Sequence, residues 1–208
     1  MPSGGRILTV NGGSSSIRFA LYQMGAQPRK GLHGKIERIG SPGTRFVFVD
    51  PARMQQNELG IGEFDHRSAG NFLLDWLEEQ IGSSSITAVG HRVVNGGDRY
   101  REPHRLTQEV LEELRRISAY APEHLPSEIE LIGMVDERMP GVPQLACFDT
   151  AFHRNMPRVA KILPIPRRFA AKGVERYGFH GLSYEFLMEE FARVAGVEAA
   201  KGRVILCH

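Results

Sequence analysis

The chain of 208 residues is long enough to bury a sizeable core, either as one large domain or as two small ones. Its 26 basic and 24 acidic residues nearly balance, so no bulk charge would attract nucleic acid or an anionic membrane. The sequence has no apolar run of membrane-spanning length and no signal-peptide core, and we expect a cytoplasmic protein. Its function must therefore reside in local motifs.

The opening residues predict a hairpin with a phosphate-binding turn. Two apolar, β-prone runs at 7–10 and 17–22 flank a turn of Asn, Gly and Ser at 11–16. Glycines there allow positive φ and close ligand approach, while backbone N–H groups and the hydroxyls of Ser14 and Ser16 suit phosphate oxygens. The same residues are also typical of an ordinary exposed hairpin. Neither a Walker A loop nor a dinucleotide fingerprint is present.

Hydrophobic periodicity predicts the elements that follow. Further strands are expected at 33–39, 44–50, 86–94, 142–148 and 203–207, and helices are expected to begin at Ser68, Thr107, Pro126 and Leu182. The polar segment 51–66 predicts a surface loop. Cys147 and Cys207 each close an apolar run, which indicates reduced, buried thiols rather than a disulfide. No cysteine and histidine spacing indicates zinc.

Arg92 stands near the end of an apolar strand, just before a second glycine turn. Burying a guanidinium there is unfavourable unless an anion or a carboxylate compensates it. Arg92 is therefore a candidate anion clamp, and a purely structural salt bridge is an equal alternative for this residue alone. We expect its neighbour His91 to be a hydrogen-bonded core histidine.

Three further side chains are candidates from their positions. Asp149 follows the strand 142–148, and ligands bind beyond the carboxyl ends of strands in parallel sheets, although a helix cap is the alternative. His180 lies between a Phe and a Gly just before a helix, where an anion would be stabilised. His124 lies between two prolines that stiffen its backbone, which is weak evidence alone.

The segment from Arg154 to Arg176 holds seven basic residues and the single acid Glu175. Such a run is usually a solvated face, and here it could also line an anion site. It is the one basis for a nucleic-acid alternative, which it supports poorly because it lacks interleaved aromatic residues.

Six motifs, taken together, resemble the acetate kinase (acetokinase) family of the acetate and sugar kinase and actin-like ATPase superfamily. They are Asn-Gly-Gly-Ser-Ser-Ser (11–16), Gly-His-Arg-Val-Val-Asn-Gly-Gly (90–97), Ala-Pro-Glu-His (121–124), Phe-Asp-Thr-Ala-Phe-His (148–153), Arg-Tyr-Gly-Phe-His-Gly (176–181) and Cys-His (207–208). They occur in the family's order across the whole chain. The resemblance covers an amino-terminal portion and stops near the middle of a family member's length.

The resemblance implies an α/β fold of the actin-like ATPase (ribonuclease H-like) type, with a mixed sheet opened by antiparallel strands and flanked by helices. Residues 1–196 would be the amino-terminal acetokinase domain, and 197–208 the first strand of a carboxy-terminal nucleotide domain. The implied reaction interconverts acetate and ATP with acetyl phosphate and ADP, using Mg²⁺. The full-length form would be a homodimer, with no nucleic-acid or membrane partner.

The resemblance also implies roles for individual residues. The catalytic residues would be Asp149, His180 and His124, and the acetate-binding residues would be Arg92, Val94 and Phe179. The residues that bind ATP or phosphate would be Ser14, Ser16, Arg18 and His208. The residue that binds magnesium would be Asn11. Since acetate is already ionised at neutral pH, it needs no general base, and we expect Asp149 to orient other groups.

The chain departs from the family's pattern at Gly12, Asn95 and Leu125, where the family commonly has Ala, His and Asn. These departures bear on local geometry and substrate preference, so propionate or butyrate kinase stays an alternative. A catalytically silent binding or dimerisation module of the same fold is the second alternative. Because half of a family member would be missing, we expect this chain alone to transfer little phosphate.

Overall fold

A meander of five antiparallel strands opens the chain, whose computed structural model describes residues 5–82 and 85–207. The strands are β1 (Arg6–Gly12), β2 (Ser16–Gln23), β3 (Arg29–Glu37), β4 (Thr44–Asp50) and β5 (Gln55–Gly62). Alternation of buried and exposed residues is clearest in β4, where Thr44, Phe46 and Phe48 are buried and the residues between them are less so. This alternation shows that one face of the meander packs against the hydrophobic core.

Three more strands complete a mixed sheet in the described residues: β6 (Ile86–Val93), β7 (His104–Arg105) and β8 (Gln144–Phe148). The strand order is β5-β4-β3-β2-β1-β6-β8-β7. Strand β1 pairs antiparallel with β2 and parallel with β6, so the carboxyl ends of β1 and β6 meet at one edge. The predicted α/β fold, with a mixed sheet opened by antiparallel strands and flanked by helices, is confirmed.

Eight helices are described: α1 (His66–Ile81), α2 (Gln108–Arg116), α3 (Leu125–Arg138), α4 (Asp149–Phe152), α5 (Arg158–Lys161), α6 (Arg167–Ala170), α7 (Gly181–Ala195) and α8 (Val197–Ala200). A 3₁₀ turn covers Ser118–Tyr120. Along the described ranges, no helix combines the length and apolar character needed to cross a membrane.

The described residues form two compact units. The first falls within Met1–Val93 and His104–Ala146, and it contains the sheet up to Ala146 with α1, α2 and α3. The second falls within Val94–Pro103 and Cys147–His208, and it contains α4 to α8. The predicted division at residues 196 and 197 stays a prediction.

An aromatic cluster joins α1 to the meander in the first unit. Trp76 of α1 lies 4.8 Å from the ring of Phe46 and 4.6 Å from that of Phe48, measured between centroids. Phe46 is fully buried, and Phe19 stacks on it from β2. Large aromatic rings contribute much of a core's buried area, so this cluster is a principal contact between helix and sheet. Trp76 is itself partly buried and packs against the hydrophobic core.

Several boundaries differ from the sequence prediction. The segment 51–66 holds β5 instead of being a loop throughout, because its polar residues form the edge strand against β4 and need little burial. Helix α1 begins at His66 and not near Ser68, since the Asp65 carboxylate accepts a hydrogen bond from the Ser68 N–H at 2.7 Å. Aspartate is a strong N-cap, and it precedes the serine in the chain.

In the second unit, the predicted strand Arg203–Cys207 is absent. A strand requires a ladder partner, and Ile205 is 90% exposed, so this apolar run has no burial to stabilise it here. The prediction of buried thiols holds only in part. Cys147 is half-buried, and its pKa is raised by that burial and, secondarily, by the charge of Glu185, whereas Cys207 is exposed. Both cysteines are free.

His91 is a buried, hydrogen-bonded histidine, as predicted. Its Nε2 donates to the side-chain oxygen of Gln144 at 2.7 Å, and Gln144 in turn donates to Asp136 at 3.2 Å. Burial lowers the pKa of His91 to about 4, although its hydrogen bond with Gln144 opposes the shift. The folded protein therefore holds the neutral imidazole, and protonation favours the unfolded chain.

We predict that the first unit loses stability as the pH falls from about 6.5 to about 4, the window between the unfolded and folded pKa values of His91. At about pH 5 the loss relative to about pH 7 is about 2 kcal/mol. His91→Gln, which keeps a donor and cannot titrate, should remove this part of the acid sensitivity in urea unfolding. The exposed-histidine control His104→Gln should keep it, and equal acid sensitivity in both variants would contradict the assignment.

Candidate active site

Three predicted site residues lie side by side in the first unit. Asn11 of β1 is the register partner of Arg18 in β2 and of Arg92 in β6. Side chains of register partners are close neighbours on a sheet. The structure therefore brings two guanidinium groups and one amide into a single row near the carboxyl ends of β1 and β6. We call Arg18, Asn11 and Arg92 the cationic row.

Carboxylates lie close to both arginines of the row: the pKa of Glu37 is lowered mainly by its hydrogen bond with Lys35, and the charge of Arg18 also helps to lower it. The Nη1 of Arg92 lies 3.5 Å from the Oε1 of Glu128 in α3. The side chain of Arg92 is 20% exposed, whereas that of Glu128 is 2% exposed. The salt bridge raised as an alternative for Arg92 thus exists, and the guanidinium remains partly open to solvent.

The predicted phosphate turn follows the row directly. The connection between β1 and β2 is the three residues Gly13, Ser14 and Ser15, and it is closed by a 2.7 Å bond from the Gly13 N–H to the Ser16 carbonyl. Ser14 and Ser15 are exposed, and Ser16 is half-buried. Exposed N–H and hydroxyl groups in such a turn can face an anion.

Two details of the turn differ from expectation. Asn11 and Gly12 belong to β1 and not to the connection, because β1 continues its ladder with both neighbours to its last residues. Gly12 and Gly13 are not among the glycines with positive φ. Gly12 is instead needed for space, since a Cβ there would approach the Cδ2 of Leu131 to 3.3 Å.

His66 supports the turn, and the sequence analysis missed it. Its Nε2 donates to the Ser14 carbonyl at 2.7 Å. Helix α1 begins at this residue, so the helix start anchors the turn. No local signal connects the two, because 52 positions separate them in the chain.

His124 lies in the same unit, immediately before α3. Its Nδ1 is buried and has no hydrogen-bond partner within the described residues. Glu128 follows four positions later, and residues at that spacing are neighbours on a helix surface. A buried polar atom without a partner is unfavourable, so this histidine is available to a ligand in a way that an ordinary structural histidine is not.

The second unit brings Asp149 and His180 together. The Asp149 carboxylate accepts a hydrogen bond from the Leu182 N–H at 3.3 Å, in the first turn of α7. His180 is the residue that precedes this helix, and its side chain makes no capping bond. Asp149 is 2% exposed, whereas His180 is exposed. The alternative role of Asp149, a cap for the segment that follows it, is not realised, because Phe148 is the N-cap residue of α4 and the Asp149 carboxylate binds the start of α7 instead.

His180 has a left-handed backbone conformation, with φ 56° and ψ 25°. Non-glycine residues rarely adopt it, and it persists only where the surroundings impose it. Close backbone approaches lie on both sides of His180 along the chain. A Cβ at Gly178 would lie 2.1 Å from the His153 ring, and a Cβ at Gly181 would lie 1.8 Å from the Asp149 carbonyl oxygen.

His153 and Thr150 complete this second cluster, and neither was predicted individually. The Nε2 of His153 donates to the Phe179 carbonyl at 2.9 Å, which positions the residue before His180. The Oγ1 of Thr150 accepts from the Gly96 N–H at 3.1 Å and so joins the 94–97 segment to α4. Both lie in the quoted 148–153 motif, which was the available signal.

Val94 and Phe179, the residues predicted near the methyl group of the substrate, both belong to the second unit, where Val94 is buried and Phe179 is 48% exposed. His208 lies outside the described residues, so its predicted role in nucleotide binding stays a prediction. In the 154–176 run, Lys161 pairs with Glu175 at 3.3 Å.

We predict that Gly181→Ala destabilises the second unit by about 1–3 kcal/mol or more, because the new methyl group would collide with the backbone of Asp149. Gly133→Ala is the control, since nothing lies within 4 Å of a Cβ at that position. It should be neutral or stabilising by up to about 1 kcal/mol, because alanine favours helix. Urea midpoints check both, and an unaffected Gly181→Ala variant would contradict the close approach.

The chain is similar in sequence to known proteins. The sequence profile of the acetokinase family matches residues 6–208. Over 206 residues the chain is 39% identical to an acetate kinase of Rhodopseudomonas palustris, covering 97% of this chain and 52% of that protein. It is 37% identical to a propionate kinase of Citrobacter freundii, covering 98% of this chain and 50% of that one.

Solved structures give the same result. A propionate kinase from Francisella tularensis aligns with a TM-score of 0.81 at 31% identity, covering 92% of this chain and 49% of that one. The Porphyromonas gingivalis acetate kinase aligns with a TM-score of 0.79 at 29% identity, covering 93% and 49%. The chain thus spans about half the length of the relatives that it matches.

Proposed function

The chain belongs to the acetokinase family, and from this premise we propose that it supplies the carboxylate-binding and phosphate-binding part of a short-chain carboxylate kinase. The proposed reaction is reversible phosphoryl transfer from ATP to acetate. The single observation that carries the proposal is the cationic row, because it sets two guanidinium groups beside a turn of exposed donors.

The charge of the reactants explains why such a row is needed. An anionic carboxylate must approach an anionic γ-phosphoryl group, and charge spreads over the equatorial oxygens during transfer. The protein must therefore supply compensating cations and donors that are positioned in advance. We assign Arg92 to the substrate carboxylate, since a guanidinium can hold it through two parallel bonds. Arg18 and the hydroxyls of Ser14 and Ser16 are assigned to phosphate oxygens.

His124 has a supporting role in this proposal. Its buried Nδ1, which lacks a hydrogen-bond partner in the described residues, supports the assignment because a bound oxyanion would satisfy it. His66 is proposed as a positioning residue, since it acts through the Ser14 carbonyl.

For the second unit, the proposed roles follow the resemblance and the local geometry. His180 is proposed to donate to oxygens of the transferring phosphoryl group, and its fixed backbone supports this role. Asp149 is proposed as an orienting group, because its carboxylate already accepts from the start of α7 and the substrate needs no general base. Val94 and Phe179 are proposed near the methyl group of the substrate.

Magnesium enters the proposal together with the nucleotide. Mg²⁺ keeps several waters and is held by few protein oxygens plus substrate phosphates. Among residues 5–82 and 85–207, no group of three His, Cys, Asp or Glu side chains could hold a metal alone. Asn11 offers one amide oxygen, whereas the guanidinium groups of its register partners Arg18 and Arg92 have no lone pair for a cation and repel it. The proposed ion would therefore be held mainly by the phosphates of the nucleotide and by water, with Asn11 as its one ligand from this row. Such an ion would neutralise phosphate oxygens.

Two alternative functions are each supported by a specific observation. Propionate kinases are among the similar proteins at nearly the same identity as acetate kinases, so a three-carbon substrate is the nearest variant. A silent binding or dimerisation module is favoured only by the coverage of about half of each relative.

We predict that the isolated chain binds acetyl phosphate weakly and that Arg92→Leu weakens this binding at least tenfold, since one good charged hydrogen-bonded contact contributes about 1.5–3 kcal/mol. Shifts of the amide signals of residues 13–16 during an NMR titration measure it. Arg67→Leu is the matched control, because Arg67 also pairs with a glutamate of α3, at 2.8 Å. Equal affinity in the two variants would remove Arg92 from the site.

A second prediction concerns turnover. Because the chain spans about half the length of its relatives, we expect the purified chain alone to form little or no acetyl phosphate from ATP and acetate. A hydroxamate assay on a mass-verified sample measures this, with a full-length acetate kinase as the positive control. Robust turnover that disappears in Arg92→Leu would show instead that this chain is a complete catalyst.

A further inference from the structure

Glu128 is a buried carboxylate beside the residue proposed to bind the substrate's carboxylate. It lies in the first turn of α3, and its side chain is 2% exposed. Its Oε1 is 3.5 Å from the Nη1 of Arg92. Acidic side chains are almost never so fully buried unless they are paired. A carboxylate can stabilise the start of a helix while it is exposed to solvent, so the burial of Glu128 needs another explanation.

The carboxylate is also fixed in place by its surroundings. A Cβ added at Gly12 would lie 4.0 Å from the Cγ of Glu128 and 3.3 Å from the Cδ2 of Leu131. The stem of Glu128 therefore packs beside the last residue of β1, where the phosphate turn begins. The negatively charged carboxylate of Glu128 thus faces Arg92, while its stem lies beside the end of β1.

This charge changes what the cationic row can bind. Arg18 and Arg92 carry two positive charges, and Glu128 compensates one of them. A buried charge acts through a lower effective dielectric than a solvated one, so its influence on a neighbouring anion is strong. A ligand with one negative charge can still be held by Arg92, whereas each additional negative charge on the ligand meets the repulsion of Glu128.

We propose that Glu128 is a specificity-determining residue that restricts the Arg92 site to monocarboxylates and disfavours dicarboxylates. This inference rests on the proposed function, because it assumes that Arg92 binds the carboxylate of the substrate. It narrows the substrate class to short acids with a single ionised group, such as acetate and propionate. Glu128 acts through the charge that it places beside Arg92, and no contact with the substrate is required.

The test compares affinities of the whole chain for acetate and malonate at neutral pH and constant ionic strength, measured by NMR titration. Wild type should favour acetate. Glu128→Gln should raise the malonate-to-acetate affinity ratio about tenfold, since it removes one charge and keeps a side chain of the same shape. Glu128→Asp, which keeps the charge, should retain most of the discrimination. If Glu128→Gln does not fold, Glu128→Asn carries the same expectation.

The matched control is Glu130→Gln, two residues further along α3, where the glutamate pairs with Arg67 at 2.8 Å. This variant should leave the ratio unchanged. A ratio that stays at the wild-type value in Glu128→Gln, while acetate binding still depends on Arg92, would overturn the specificity role alone. Carboxylate binding that is absent, or indifferent to Arg92→Leu, would overturn the proposed function and this inference together.

Discussion

The pairing of β1 with both β2 and β6 is the constraint on which the proposed chemistry depends. It sets Arg18, Asn11 and Arg92 in register, so that arginines on β2 and β6 flank the asparagine of β1. The proposed binding of a carboxylate and a phosphate depends on this register, because slipping any one of the three strands by one residue would move its side chain to the opposite face.

The core of the first unit makes this pairing rigid. Trp76 packs on Phe46 and Phe48, and α1 thereby covers the meander. The same helix begins at His66, which holds the Ser14 carbonyl. Packing at one end of α1 and a hydrogen bond at the other fix the turn relative to the sheet. For the proposed phosphate site, this would reduce the conformational entropy lost on binding, because the donors of the turn are already held in place.

Close backbone approaches have a comparable role in the second unit. Gly181 lies against the Asp149 carbonyl, and Gly178 lies against the ring of His153. Between these two contacts, His180 adopts the left-handed conformation. Non-glycine residues in this conformation cluster at functional sites, which is why the backbone of His180 supports the role proposed for it.

The sequence by itself determined the fold class, most strand positions, the core role of His91 and the motifs that identify the family. These depend on local periodicity and turn chemistry, which short segments encode. Only the tertiary structure decided that Glu128 faces Arg92, that His66 holds the turn and that Gly12 is needed for space instead of for positive φ. Such contacts join distant segments, and a residue's type and local neighbours do not specify its partner. The edge strand β5 was missed for a related reason, since its polar residues become a strand only because β4 offers a free edge.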